Sequence, residues 1–105
     1  MNKEFVRIGQ FQAKSGEAEA LSAIYEREAI PTIRAAPGNV SAVLLRQHQQ
    51  ADLFLAITIW KTQSAAEDYD KSGMAQQMVG KIRHLFAGPP SLTTYDAYGI
   101  PKAST

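Results

Sequence analysis

Trp60 and Tyr69 are the side chains of this 105-residue chain whose types and spacing best suit chemistry on an aromatic compound. An indole ring can stack on a planar substrate, and its N–H can donate to a carbonyl oxygen. A phenol can donate a hydrogen bond to a hydroxyaromatic substrate or exchange a proton with it. We therefore predict that Trp60 and Tyr69 are catalytic residues. The alternative is that both only pack in the core.

Four further side chains are predicted to line a substrate pocket. Tyr25 lies on the inward stripe of the first helix, where a buried hydroxyl needs a partner. Met74 and Met78 can flank an apolar cavity, although methionine more often fills gaps in a core. His48 follows the second strand and could reach the mouth of a site or a second subunit. The simpler alternative for His48 is a solvated side chain beside a turn.

Other kinds of site find no support in the residues. The chain has no cysteine, which excludes disulfides, thiolate metal sites and a cysteine nucleophile. Its two histidines have no carboxylate at metal-ligand spacing. There is no glycine-rich phosphate loop and no pattern of a flavin or nicotinamide fold. We predict neither a cofactor nor a metal.

Composition sets the class of protein and its partners. The net charge of +1 gives no bulk attraction to nucleic acid or to an anionic membrane. Hydrophobic residues make up 45% of the chain, as in soluble globular proteins, yet no apolar run is long enough to span a bilayer. No signal-peptide pattern is present. These features favour a cytoplasmic protein with a small-molecule substrate.

The elements that must position the site residues follow from hydrophobic periodicity. Strands are predicted at about 4–13, 40–48, 53–60 and 92–98, and helices at about 16–36, 62–71 and 74–86. Ser15 is the candidate N-cap of the first helix, which Pro31 is predicted to kink or divide. Thr62 or Ser64 is predicted to cap the second helix, and Glu67 permits a capping box there.

This order of elements predicts an α+β fold. A strand, helix, strand, strand, helix, strand series is typical of the ferredoxin-like split βαβ arrangement, a four-stranded antiparallel sheet with helices on one face. The chain is predicted to be one domain, residues 1–105, with an ordered core at about 4–99 and a C-terminal tail at 100–105.

The third predicted strand is apolar on both of its faces. One face carries Leu53, Leu55, Ile57 and Ile59, and the other carries Phe54, Ala56, Thr58 and Trp60. An antiparallel sheet open to water on one side normally alternates between apolar and polar residues. Because one helical layer covers only one face, we predict a homodimer in which a second copy of the chain covers the other.

Three segments carry a resemblance to a known family. The Pro37–Val40 turn, the Trp60–Thr62 segment and the Ala66–Tyr69 stretch resemble the antibiotic biosynthesis monooxygenase domain family. The resemblance runs from about Phe5 to Tyr98. It implies a dimeric α+β barrel and a cofactor-independent monooxygenase that acts on a small aromatic, quinol or polyketide-like compound in an apolar cavity.

The match to individual branches of that family is uneven. Trp60 stands where polyketide oxidases keep a pocket tryptophan, but Ala56 and Ala66 replace the expected asparagine and tyrosine. The quinol branch favours a histidine in the helix after the tryptophan, and none lies there.

The haem-degrading branch matches least. Gly9, Tyr69 and Val79 replace its asparagine, tryptophan and histidine, which argues against haem degradation. Two alternatives to a monooxygenase therefore stay open. One is a non-catalytic small-molecule-binding or stress-response barrel, and the other is an isomerase of a small oxygenated metabolite.

Overall fold

The computed structural model describes residues 3–100, and its elements follow the predicted order. The strands are β1 (Glu4–Gln12), β2 (Asn39–Arg46), β3 (Leu53–Trp60) and β4 (Ser91–Ala97). The helices are α1 (Ala18–Ile24), α2 (Ile30–Arg34), α3 (Gln63–Lys71) and α4 (Met74–Ile82), with a π-helical turn at Tyr25–Ala29 and a 3-10 turn at Arg83–Leu85. The predicted tail lies, from residue 101 onward, outside the described residues.

The four strands form one antiparallel sheet in the order β2-β3-β1-β4. This confirms the ferredoxin-like α+β arrangement. In the centre of the sheet Phe11 lies opposite Phe54, and their rings stack with centroids 5.6 Å apart. Phe5 lies opposite Trp60 in the same register. The register thus places the large aromatic residues of β1 and β3 on one face, under the helices.

Two apolar clusters hold the helices against this face. The first cluster joins the sheet to α1 and to the end of α4, and consists of Phe11, Ala13, Ala18, Leu21, Phe54, Ile82 and Leu85. The second joins the sheet to α2 and α3, and consists of Ala29, Ile30, Ile33, Ala42, Trp60, Ala66 and Tyr69. Burial of these side chains, at about 1.5–3 kcal/mol for each large one, fixes both helical segments on the sheet.

The first helical segment differs from the prediction at its start and its middle. Glu17, not Ser15, is the N-cap, because a Lys14–Glu17 turn delays the helix to Ala18. Pro31 does not divide the segment. The chain instead widens into the π-helical turn before it, where the Ile30 N–H donates to the carbonyl of Tyr25. The wider turn accommodates a proline ring without breaking the helix.

The second helical segment is capped by Thr62, whose side chain accepts a hydrogen bond from the Ala65 N–H at 3.1 Å. The capping box that Ser64 and Glu67 permitted does not form, since Glu67 accepts from Gln63 instead. α4 ends at Ile82, four residues before the predicted end, and continues as the 3-10 turn.

The outer face of the sheet carries apolar side chains that no helix covers. It presents Val6, Ile8, Val43, Leu45, Leu53, Leu55, Ile57, Ile59 and Tyr95, which alternate with the inward residues of their strands. Val43, Leu45 and Tyr95 are 38%, 44% and 47% exposed. An apolar face of this extent is typical of an interaction surface. Across residues 3–100, every helix is too short or too polar to cross a membrane.

Candidate functional site

A groove of about 600 Å³ opens between the end of α2 and α3. It is lined by Thr32, Ala35, Ala36, Pro37, Gly38, Thr62, Ser64, Ala65, Asp68, Tyr69, Ser72 and Met74. Small apolar side chains form most of its floor and one wall, whereas hydroxyl groups and one carboxylate lie along α3. Apolar cavities with a few placed polar groups are the usual form of small-molecule sites.

Gly38 sets the shape of the groove at its base. Its φ of +82° lies in the left-handed region, and a Cβ built there would be 2.5 Å from the Cβ of Ala65. The turn is held by a hydrogen bond of 2.8 Å from the Lys61 N–H to the Gly38 carbonyl. Only glycine allows the α2–β2 turn to approach α3 this closely.

Tyr69 connects the groove to the core. It lies on the inward side of α3, is 8% exposed, and lines the groove with the part that remains accessible. Its ring packs against that of Trp60 with centroids 5.5 Å apart. Burial, and then the neighbouring charge of Asp70, raises the pKa of the Tyr69 phenol above its ordinary value. At neutral pH Tyr69 is therefore an uncharged hydrogen-bond donor.

Trp60 is placed behind Tyr69 rather than in the groove. It is 1% exposed, and its indole N–H donates to the Thr58 hydroxyl at 3.0 Å. The prediction that this N–H meets a substrate carbonyl is thus not what the structure shows, because β3 carries its own acceptor two residues earlier. Trp60 is not among the residues that line the groove, and its ring packs against that of Tyr69, which is.

Tyr25 begins the π-helical turn and packs, half-buried, against both core clusters. Burial, with a smaller effect from the phenol of Tyr69, raises the pKa of Tyr25 to about 12. π-Helical turns inside α-helices often lie at functional sites. Tyr25 packs against the apolar cluster that contains Trp60 and Tyr69. It is not among the residues that line the groove.

The other predicted pocket residues separate in space. Met78 packs half-buried against the cluster of Trp60 and Tyr69. Met74 lines the groove and is 44% exposed. His48 was predicted at the end of β2, but β2 ends at Arg46 and His48 lies exposed in the connection to β3. The structure thus does not place His48 beside the groove within one chain.

Arg7 is a half-buried charged residue that the sequence predictions missed. It lies on the inward face of β1, and its two terminal nitrogens donate to both carboxylate oxygens of Asp70 at 2.8 and 2.7 Å. Among the described residues, Arg7 Nε is the buried side-chain atom without a hydrogen-bond partner. The signal was visible in the sequence, since Arg7 interrupts the apolar inward series from Phe5 to Phe11.

Asp68 is the second residue that was missed. It is the charged side chain of the groove, and the ion pairs among residues 3–100 do not include it. Its position on α3 could be predicted, but not that α3 turns this residue toward a cavity. Within residues 3–100, no cluster of three or more metal-binding side chains is present.

Comparison with known proteins shows the family to which the chain belongs. A profile of the antibiotic biosynthesis monooxygenase family matches residues 4–81. A search of curated proteins gives no match.

Three solved structures illustrate the fold. A Nitrosomonas europaea protein provisionally assigned as an antibiotic biosynthesis monooxygenase is similar with a TM-score of 0.83 and 18% identity, over 94% of each chain. A second protein from that organism, of unknown function, has a TM-score of 0.84 and 14% identity, over 99% of this chain and 98% of its own.

The third is SnoaB from Streptomyces nogalater, a cofactor-independent oxygenase solved as an asparagine-to-alanine variant. It has a TM-score of 0.81 and 18% identity, over 94% of this chain and 98% of its own. At such identities the structural likeness shows a shared fold, and the profile match covers most of the chain. This chain belongs to the antibiotic biosynthesis monooxygenase family.

Proposed function

We propose that the chain is a cofactor-independent monooxygenase that oxidises a small aromatic, quinol or polyketide-like compound bound in the groove beside Tyr69. The observation that carries this proposal is the position of Tyr69. Tyr69 lines an apolar groove, and its ring packs against that of the buried Trp60. Membership of a monooxygenase family supports the reaction class.

The reaction draws its electrons from the substrate. A hydroquinone that loses a proton becomes an anion able to pass one electron to dioxygen, and the two radicals then join through a new C–O bond. The resulting peroxide anion takes up the proton to give a hydroperoxide, which then loses water. Overall, one hydroquinone and one O2 give one hydroxyquinone and one H2O. The substrate thus supplies every electron that dioxygen accepts.

The chain's own residues contribute binding and charge stabilisation. Tyr69, kept neutral by its raised pKa, donates a hydrogen bond to the substrate oxygen as negative charge develops there. Trp60 restricts the Tyr69 ring to one orientation, so that the donor is positioned before the reaction. The apolar walls of Ala35, Ala36 and Ala65 give the ring of the substrate a surface to pack on.

Oxygen uptake with a panel of hydroquinones tests the proposal. Wild type should consume oxygen in a substrate-dependent manner without added metal or flavin. Tyr69→Phe should lower the rate about tenfold or more, because one donor to the developing oxyanion is lost. His84→Ala, a change at an exposed side chain on the 3-10 turn, is the control and should leave the rate unchanged.

A second variant tests the role of Trp60. Trp60→Phe is preferred to alanine, because removing a fully buried tryptophan side chain costs about 3–5 kcal/mol of stability. Trp60→Phe should lower the rate of oxygen uptake less than Tyr69→Phe does. If no hydroquinone in the panel causes oxygen uptake, the non-catalytic binding barrel becomes the better account.

We also propose that the protein is a homodimer joined through the outer face of the sheet. The uncovered apolar side chains of β2 and β3 support this arrangement. A second sheet packed on this face would remove them from water, as in other sheet-on-sheet cores.

A further inference from the structure

We infer that the groove recognises an aromatic compound carrying a protonated amine, which pairs with Asp68 while its ring lies on the apolar floor. This deepens the proposed function, on which it rests for the orientation of the substrate toward Tyr69. It names a charge preference that neither family membership nor fold provides.

The polar side chains of the groove occupy one edge of it. Ser64, Asp68 and Ser72 are spaced four residues apart, so they form a single stripe along α3. Ala65 and Tyr69 form the neighbouring stripe. Most of a ligand that fills the groove therefore contacts apolar side chains. Only one side of it contacts the polar stripe of α3.

Two of the four serine and threonine hydroxyl groups of the groove donate to backbone carbonyls and so present acceptors, not donors, to a ligand. Thr32 donates its hydrogen to the Glu28 carbonyl at 2.8 Å, and Ser72 donates to the Tyr69 carbonyl at 2.6 Å. These two hydroxyl groups can therefore only accept from a ligand, and the Ser72 oxygen already accepts from the Met74 N–H at 3.3 Å. Together with the Asp68 carboxylate, these oxygens suit a ligand group that donates several hydrogen bonds, as an ammonium does.

The charge of the groove has one sign. Asp68 is the charged residue among its lining side chains, and no ion pair within residues 3–100 neutralises it. A ligand carboxylate would meet like charge, which disfavours binding, and a ligand ammonium would meet opposite charge. The Tyr69 phenol supplies the donor for the substrate oxygen, so the two polar groups of such a ligand have separate partners.

Binding of three unreactive naphthalenes tests the inference. The ligands are 2-naphthylmethylamine, 2-naphthylmethanol and 2-naphthoic acid, which share a ring and differ in charge. Titration calorimetry at neutral pH should give the amine about tenfold tighter binding than the alcohol, a difference of ~1.4 kcal/mol. The acid should bind weakest. Amide chemical shifts in the labelled protein should map the amine to α3 and the α2–β2 turn.

Asp68→Asn and Glu67→Gln form the matched pair of variants. Both remove one negative charge from α3, but Glu67 does not line the groove and accepts a hydrogen bond from Gln63. Asp68→Asn should lower the affinity for the amine until it equals the affinity for the alcohol. Glu67→Gln should preserve the tenfold preference.

Three results would overturn the inference. They are equal binding of the three ligands, the same loss of preference in both variants, or binding of none of them in the groove. Because these ligands have no oxidisable phenol, the outcome is independent of oxygen uptake. A preference for the amine in a protein that consumes no oxygen would leave this inference standing and remove the proposed monooxygenase activity.

Discussion

Trp60 is a core residue that packs behind the groove and does not form part of its lining. Alternation along β3 correctly places Trp60 on the helix side of the sheet. Whether an inward side chain meets a cavity or a neighbour depends on packing, and here the Tyr69 ring lies between Trp60 and the groove. The hydrogen bond from the indole N–H to the Thr58 hydroxyl likewise could not be predicted from the sequence.

Tyr25 should make the fold less stable as the pH rises above 10. Its pKa is raised from 10.0 to about 12, mainly by burial, so the folded state keeps a proton that the unfolded state loses. This contribution to stability is complete below pH 10 and is lost as the pH rises toward about 12. Over that range the free energy of unfolding should fall by up to about 1.4 kcal/mol per pH unit.

Urea unfolding at several pH values checks this expectation. Tyr25→Phe should make the decline above pH 10 less steep, because one of the two phenols whose pKa is raised is gone and Tyr69 remains. Tyr98→Phe is the matched control, since Tyr98 is 76% exposed and should leave the decline as in wild type. Equal declines in wild type and Tyr25→Phe would contradict the role given to burial of this phenol.

At the scale of elements, the close approach of the α2–β2 turn to α3 predicts a steep penalty for Gly38→Ala. The new Cβ would occupy a left-handed conformation, at a cost of about 1–2 kcal/mol, and would collide with Ala65. The collision adds about 1–3 kcal/mol. Gly16→Ala separates the two effects, because Gly16 has a φ of +81° with nothing within 4 Å of the new Cβ.

Thermal or urea unfolding of the two variants measures the difference. Gly38→Ala should be less stable than Gly16→Ala by the cost of the collision, and ligand binding in the groove should weaken only in Gly38→Ala. Equal loss of stability in both variants would show that the turn can withdraw from α3.

The contact between β1 and α3 through Arg7 and Asp70 should be stronger than an ordinary surface ion pair. The Arg7 side chain is 15% exposed, and both carboxylate oxygens of Asp70 accept from it. A double-mutant cycle with Arg7→Met and Asp70→Asn should give a coupling of about 1.5–3 kcal/mol. The Arg46–Glu19 pair, with side chains 35% and 84% exposed, should give about 0.2–1 kcal/mol. Similar couplings for both pairs would refute the distinction.

Periodicity predicts the elements well where one face is apolar, and it fails at their ends. β3 is found at its predicted limits because eight consecutive residues favour a strand and polar residues flank it. β2 stops at Arg46, two residues early: the Gln47 N–H still donates to the Leu53 carbonyl, but the polar residues 48–50 bend into the connection. The π-helical turn before Pro31 could not be distinguished in sequence from a kink.

At the scale of the whole molecule, the uncovered face of the sheet predicts the assembly. Ile57 lies near its centre, paired with Ile8 and Val43 on the neighbouring strands. Light scattering on wild type at micromolar concentration should give the mass of a dimer. Ile57→Lys should give a monomer, because an unpaired charge would be buried between two sheets.

Gln77→Lys is the control for that change. Gln77 is exposed on α4, on the opposite side of the molecule from this face, and lysine there should leave the dimer intact. A wild-type monomer at micromolar concentration would contradict the proposed assembly.

Fold and family could be predicted from sequence because they depend on patterns spread over the whole chain. The site could be predicted only in part. Tyr69 was proposed from its type and position and does line the groove, while its catalytic role stays a prediction. The surroundings of Asp68 and Arg7 depend on the way α3 lies on the sheet, which the sequence does not show. That orientation depends on contacts between residues far apart in the chain, such as the approach of Gly38 to Ala65.

The central claim is that the substrate itself reduces dioxygen in the groove beside Tyr69. Turnover of a reactive hydroquinone under ¹⁸O2, with protein free of metal and flavin, tests it most directly. Mass spectrometry should find one ¹⁸O atom in each molecule of hydroxyquinone. Tyr69→Phe should form less of this product than wild type, by the same factor as its rate of oxygen uptake is lower. A product without ¹⁸O, or equal amounts of labelled product from wild type and Tyr69→Phe, would contradict the claim.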